Sequence, residues 1–325
     1  MAPIRVLYIA GCGRSGSTLL DSVLGQLDSS ISCGELWHVW RRGLVENRLC
    51  GDGQAFRAHP FWNQVFASAF GGMAQADAAL AAILQGERRL LDVRTQYPRL
   101  AAGQAPRLLP GSEAYVEALG RLYRAIAEVS GCRTLVDSSK YPVYAWLLSQ
   151  LPGVEVVVLQ LVRDPRGVVH SWSQRKPQPD KQGHTDRHGL AWSLLQWRMA
   201  NAAAQSLPSV AGLSHQLLRY EDFIAAPQAA VAAIATWLGQ DQAPALPLAG
   251  EAELLLPPSR AFSGSAGRFQ RGRVHLRLDQ AWRREMPAWK RRCVEWGAGP
   301  QFRVHGYASM PDRASPRAAP LPERS

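Results

Sequence analysis

The sequence predicts an α/β fold, a doubly wound parallel sheet flanked by helices, and three observations predict it. Short apolar runs of strand length, rich in β-branched residues, alternate with segments of helical period along the chain. The first run leads through a glycine-rich turn directly into a helix. Each cluster of charged or hydroxyl residues follows a run, which places it at the carboxyl edge of a parallel sheet, where ligands of such folds bind.

Ile4, Val6, Leu7, Tyr8 and Ile9 form the first buried strand, ended by Gly11-Cys12-Gly13-Arg14-Ser15-Gly16. Leu19, Leu20, Val23, Leu24 and Leu27 follow at three-and-four spacing, the apolar face of a helix entered through Ser17 and Thr18. Residues 28–36 give a short strand ending at Gly34-Glu35, before an aromatic and basic patch of Trp37, His38, Trp40, Arg41 and Arg42. The stretch 37–110 is too long for a simple crossover and is expected to form a helical and loop cap over the sheet's carboxyl edge, inserted after the second strand. Ser112 to Val129 reads as a helix, with Ser112 as N-cap and Gly131 as its stop. Arg133–Asp137 and Val154–Val162 are the next strands, and a helix opens at Pro165. Residues 173–189 are polar and proline-bearing and are expected to be a mobile loop. A tryptophan-rich helix over 189–204, a strand over His215–Tyr220 and a helix over Pro227–Leu238 continue the alternation. Trp282, Met286, Trp289 and Cys293 predict the packed stripe of one amphipathic helix within Asp279–Trp296. The chain reads as a single domain over 1–308, with a disordered polar tail over 309–325.

Composition narrows the function. With 325 residues, 46% hydrophobic, and no long uninterrupted apolar segment, the chain is expected to be a cytoplasmic globule without a leader before Ile4. The five scattered cysteines form no C-x-x-C pair and are expected to be reduced thiols. Of the net charge of +11, a net +8 falls between Arg260 and Arg292. A small polyanionic ligand accounts for that charge as well as a nucleic acid does.

A glycine turn delivered onto a helix N-terminus aims backbone N–H groups and the positive end of the helix dipole at one point, which suits a phosphate. Gly11, Gly16 and Thr18 stand where the P-loop pattern G-x-x-x-x-G-K-[ST] requires them, but Ser17 takes the lysine's place and Arg14 is the only cation in the loop. An ATPase or GTPase uses that lysine on the β/γ-phosphates. A P-loop kinase using ATP and magnesium is therefore the alternative reading, and a non-enzymatic nucleotide- or nucleic-acid-binding module built on the Arg260–Arg292 segment is a third.

Gly13 to Leu20, GRSGSTLL, resembles the loop with which sulfotransferases bind the 5′-phosphosulfate of 3′-phosphoadenosine 5′-phosphosulfate (PAPS). The resemblance implies donor contacts at Gly13, Arg14, Ser15, Gly16, Ser17, Thr18 and Leu19. RDPRGVVHS, from Arg163 to Ser171, resembles the family's second motif, in which a strand-end arginine and a serine eight residues later hold the 3′-phosphate. Phe262–Phe269 is similar to the loop that closes over that phosphate through an arginine, here Arg268, although Ser265-Ala266 replace the frequent Asn-Pro. The Asp137-Ser138-Ser139-Lys140 cluster recurs in related sulfotransferases and implies Lys140 as the group that neutralises the departing phosphate oxygen. Cys33-Gly34-Glu35 resembles the C-G-E segment of tyrosyl-protein sulfotransferases and implies Glu35 as general base, with His170 and His38 as competitors. The family implies a P-loop-like fold and transfer of a sulfuryl group from PAPS to the hydroxyl of a small-molecule or glycan acceptor (a glycan, a phenol or a natural-product alcohol). No histidine spacing is completed by a carboxylate into a metal site, so no metal is expected, nor a nucleic-acid or membrane partner. No sequence feature sets an oligomeric state.

Overall fold

Five parallel strands carry the architecture: β1 (Ile4–Gly11), β2 (Ser30–Gly34), β3 (Thr134–Lys140), β4 (Val154–Val162) and β5 (Ser214–Arg219), hydrogen-bonded in the order β2-β3-β1-β4-β5. The computed structural model describes residues 3–90, 95–181, 183–240, 248–250 and 253–309. The tail expected over 309–325 lies, from residue 310 on, outside the described residues. β1 is central because it is apolar on both faces, and Val6 to Ala10 are wholly buried. It pairs with β4 from Ile4 opposite Val154 to Gly11 opposite Leu161, and with β3 on its other side. Since every strand points the same way, Gly11, Gly34, Lys140, Val162 and Arg219 end on one common edge.

The two faces of β1 are covered by different helices, as double winding requires. Leu7 and Ile9 pack with Leu20, Val23 and Leu24 of α1 (Ser17–Leu24) and with Val231 and Ile234 of the helix Pro227–Trp237. Val6 and Tyr8 face the opposite cluster, which holds Leu119, Leu122 and Ile126 of a helix over Glu113–Ser130 and Trp197 of one over Leu190–Ala211. The first of those stops at Gly131, with φ +68. Ser112 occupies its N-cap position, but its hydroxyl donates to the Leu109 carbonyl instead of capping.

Within 37–110, the turns Leu36–His38 and Val39–Val45 run along the carboxyl edge, and the helices Pro60–Phe70 and Met73–Leu90 stack on Glu113–Ser130. No single helix among the described residues is long and apolar enough to cross a membrane. The pair Pro60–Phe70 and Met73–Leu90 passes only jointly, bent by 67°, and Phe61, Trp62, Val65 and Phe66 of its first helix are buried in the protein.

The region from residue 248 on departs from expectation. Three short antiparallel strands, Leu248–Gly250, Glu253–Leu256 and Gly272–His275, form a second sheet. The single helix expected within Asp279–Trp296 is two, Trp282–Glu285 and Ala288–Ala298, because Pro287 between them has no N–H to donate and excludes the preceding residue from helical backbone. The expected stripe divides accordingly: Trp282 and Met286 are buried, whereas Trp289 is 62% exposed. The second helix buries Val294 and Ala298 instead.

Phe262 acts as a one-residue extension of the main sheet, its N–H donating to Cys33 O (3.0 Å) and its carbonyl accepting from Glu35 N (2.8 Å). Gly34 permits this, with φ +75 and a position at which a Cβ would lie 2.2 Å from the Phe262 carbonyl oxygen. Gly53 has a similar φ of +90 but open space around it. Gly34→Ala is therefore expected to lose more stability than Gly53→Ala, whose cost is confined to about 1–3 kcal/mol of backbone strain. Urea midpoints compare them, and equal losses would contradict the close approach.

Candidate active site

The loop between β1 and α1 is shaped by what leaves no room for side chains. A Cβ on Gly11 would meet the Leu161 carbonyl at 2.4 Å, and one on Gly16 (φ +89) would meet the Tyr220 ring at 2.5 Å. Arg14 adopts a left-handed φ of +68, and α1 begins after Gly16 with no side-chain cap on its N-terminus. The Arg14 Nε and Ser15 Oγ atoms are buried with no hydrogen-bond partner among the described residues, an arrangement that costs free energy unless a ligand supplies acceptors.

Arg14 and Arg163 meet at this loop. Arg163 Nη1 donates to the Arg14 carbonyl at 2.9 Å, and its Nη2 donates to Asp279, at 3.0 Å from the carbonyl and 3.1 Å from Oδ2. Arg14 lies 4.8 Å over the Trp172 ring and donates to Thr185 Oγ1 at 3.0 Å. Burial and then the neighbouring Arg163 pull the Arg14 pKa down, against a smaller upward pull from Glu35. Pro165–Ser173 is the helix after β4, started by Asp164, whose side chain accepts from Arg166 N. The Arg163 guanidinium lies over its Gly167, with 3.1 Å between Nε and the site of a Cβ. Ser171, buried, is one turn further along that face.

The remaining expected donor residues divide into two groups. Gly13 lies under Trp172, Ser17 is buried in the first helical turn, and Thr18 Oγ1 accepts from Ser265 N at 3.2 Å, tying the 263–268 loop to α1. Leu19 is half-buried against the apolar cluster beneath α1, and its N–H bonds to the Gly16 carbonyl. Arg268 turns inward: it is 1% exposed, donates to the Gly264 and Ser265 carbonyls, and pairs with Asp180 at 2.7 Å. It thus holds the shape of the loop that touches Thr18.

Glu35 and Lys140 leave the ends of the neighbouring strands β2 and β3, and their side chains form an ion pair. Lys140 takes φ +75, which turns it out of β3. The second Glu35 oxygen is 3.3 Å from both Arg42 Nη1 and Ser263 Oγ and 3.5 Å from His38 Nε2. Burial alone would raise the Glu35 pKa, but Lys140, then His38 and Arg42, outweigh it and hold the carboxyl at about 2. Burial, helped by Arg42, pushes His38 down to about 3, so its imidazole is neutral near pH 7. His170, the other competitor, is 3.1 Å from Glu285. Asp137 fixes the base of the site by accepting from Ser139 N (2.8 Å), Ser139 Oγ (2.5 Å) and Tyr123 OH.

Ser263, Asp180 and Asp279 were not singled out as site residues from the sequence. Their partners are remote in the chain, so no local spacing signals them, although Ser263 has a left-handed φ of +61 that marks it in the structure. Among the described residues no group of three His, Cys, Asp or Glu side chains is placed to hold a metal ion.

A five-stranded parallel sheet in this order, with a glycine loop on the α1 N-terminus at its carboxyl edge, defines a P-loop-like α/β protein. A profile of the sulfotransferase family matches residues 7–244, well over half of the chain, and the chain belongs to that family. Among solved structures it is similar to the sulfotransferase domain of the Synechococcus PCC 7002 olefin synthase, with 18% identity, a TM-score of 0.50, and coverage of 95% of this chain and 97% of that one. The sulfotransferase domain from the curacin biosynthetic pathway is also similar, with 16% identity, a TM-score of 0.46, and coverage of 91% and 97%. No curated protein matched the sequence.

The neutral His38 links the site to acid stability. Its folded pKa is depressed from 6.5 to about 3, so its contribution is intact above 6.5 and lost as pH falls toward 3, where only the unfolded chain binds the proton. Relative to His38→Gln, the wild type is expected to lose up to about 1.4 kcal/mol per pH unit across that window. Denaturant unfolding at pH 7, 5 and 4 reads this, and a constant difference would show that His38 is charged in the fold.

Proposed function

We propose that this chain is a cytoplasmic, metal-independent sulfotransferase that uses PAPS as donor and the hydroxyl of a small molecule or glycan as acceptor. The observation that carries the reading is the Glu35–Lys140 pair, set on the same sheet edge as a phosphate-type loop in which Arg14 Nε and Ser15 Oγ are buried without partners among the described residues. Position 17, serine where an ATP-binding loop has lysine, favours this reading over the kinase alternative.

The loop residues Gly13 to Leu19 hold the 5′-phosphosulfate, using the α1 N-terminus and Arg14. Arg163 and Ser171 hold the 3′-phosphate, one with a guanidinium fork and the other with a hydroxyl, and Arg268 keeps the 263–268 loop closed beside them. The donor supplies a sulfuryl group activated by a phosphate leaving group. As the acceptor oxygen bonds to sulfur, the sulfur–oxygen bond to the phosphate breaks and its electron pair leaves on 3′,5′-ADP. Lys140 neutralises that departing oxygen, and Glu35 takes the acceptor proton. A carboxylate held at about 2 is a feeble base, so the pairing has a mechanistic cost in the free protein. Attraction of Lys140 to the donor phosphates relieves Glu35 of its strongest cation and raises its pKa, which couples activation of the base to donor binding.

Three measurements test this. In thermal shift, 3′,5′-ADP is expected to stabilise the protein at micromolar concentration without Mg²⁺, and stabilisation by ATP-Mg²⁺ alone would sink the reading. Arg163→Ala is expected to weaken 3′,5′-ADP by ~1.5–3 kcal/mol, and Ser171→Ala by less, with both penalties vanishing for 5′-AMP. Separately, Glu35→Gln is expected to lower kcat by about a hundredfold or more while 3′,5′-ADP affinity stays within about twofold. Retained turnover in that variant, with loss in His38→Ala or His170→Ala, would move the base to a histidine.

A further inference from the structure

Next to Glu35 stands an aromatic shelf that the mechanism above does not use. Trp37 is fixed at both ends: its backbone N–H donates to Ser139 Oγ at 3.0 Å, and its indole Nε1 donates to Glu87 Oε1 at 2.7 Å. Ser139 is itself anchored on Asp137. The indole lies parallel to the neutral His38 ring, with centroids 5.5 Å apart and planes 6° from parallel, while Tyr141 meets it edge-on and Tyr144 stands 6.4 Å behind. Trp37, His38 and Tyr141 are each half-buried, so part of each ring remains accessible. Glu87 is buried on the helix Met73–Leu90, with burial raising its pKa, and the mechanism gives it no part. Glu87 is shared between the Trp37 indole N–H and Arg41, and its bond to the indole fixes the orientation of that ring.

The charges around the shelf are cationic. Lys140 and Arg42 touch Glu35, and Arg41 lies 3.7 Å from Glu87. A sugar's several hydroxyls need acceptors as well as donors, and beside the shelf Glu87 is already shared by Trp37 and Arg41, which leaves Glu35 for a single hydroxyl. A flat ring needs only the shelf, which offers offset or edge contacts worth about 0.5–1.5 kcal/mol beyond burial.

We propose that the acceptor is a phenol seated with its ring against Trp37 and its hydroxyl toward Glu35, and that Glu87 is the positioning residue that holds Trp37 in place. The inference rests on the sulfotransferase reading given above. Proton chemistry supports the geometry. A phenolic hydroxyl has a pKa of about 10, whereas that of an alkyl alcohol lies near the value for water, about 16. A weak carboxylate base surrounded by Lys140 and Arg42 suits the acceptor that gives up its proton readily and leaves a phenolate those cations stabilise. The phenol oxygen bonds to sulfur, its proton goes to Glu35, the sulfur–oxygen bond of the donor breaks, and the products are an aryl sulfate and 3′,5′-ADP.

The test compares 4-ethylphenol, 4-ethylcyclohexanol and methyl glucoside as acceptors of radiolabelled sulfate from PAPS, using the full chain. The phenol is expected to exceed both alcohols in kcat/KM by at least about a hundredfold. Trp37→Ala is expected to raise KM for the phenol about tenfold or more while the Kd for 3′,5′-ADP is unchanged. Glu87→Leu should move KM in the same direction with little change in kcat, and Glu87→Gln, which keeps an acceptor for the indole N–H, should restore it. Equal or faster turnover of either alcohol overturns the proposal, as does no transfer to the phenol or a Trp37→Ala effect confined to kcat. Failure of 3′,5′-ADP to bind the wild type would instead bring down the sulfotransferase reading, and the phenol with it.

Discussion

A carboxylate and an ammonium that meet at the ends of two adjacent parallel strands are the constraint on which the rest of the site depends. Glu35 and Lys140 are 105 positions apart in sequence and touch only because β2 and β3 are neighbours in register, with Gly34 opposite Asp137. Each ion is largely out of water, so each needs the other, and removing either partner would leave an uncompensated charge. Arg42, His38 and Ser263 then find their places around the second carboxylate oxygen. The Glu35–Lys140 pair is in this sense a property of strand order more than of any local motif.

The buried arginines follow a related rule. Arg163 is held by Asp279 and Arg268 by Asp180, each an acidic side chain from a distant segment. Guanidinium groups buried at 7% and 1% side-chain exposure would otherwise repel one another and the fold. The acids keep these arginines oriented at tolerable electrostatic cost, and the net positive surplus is left to an anion supplied from outside.

What the sequence disclosed, and what it withheld, separates along physical lines. β1 and β4 were legible because a strand buried on both faces must be a continuous apolar run, and Val154–Val162 is one. The glycines of the loop were legible because their backbone admits nothing else. Leu248–Gly250 and its two partner strands are too short for any period to show. The break at Pro287 was written in the sequence, but the regular spacing of Trp282, Met286, Trp289 and Cys293 outweighed it, although Trp289 is largely exposed. Asp180 was unreadable because its partners, Arg48 and Arg268, lie far along the chain on either side.

The one-residue bridge at Phe262 has a kinetic consequence. It brings Ser263 onto Glu35 across 228 positions, one of the longest-range contacts in the molecule. Contacts of such separation pay the largest loop-closure entropy and form late. The segments that frame the glycine loop, β1, β3, β4 and Tyr220, all precede Phe262 in the chain. The acid–base corner is closed only when the segment around Phe262 has emerged and docked beside Gly34. A nascent chain therefore frames its glycine loop before the surroundings of Glu35 are complete, and that corner of the sheet edge is among the last parts of the fold to close.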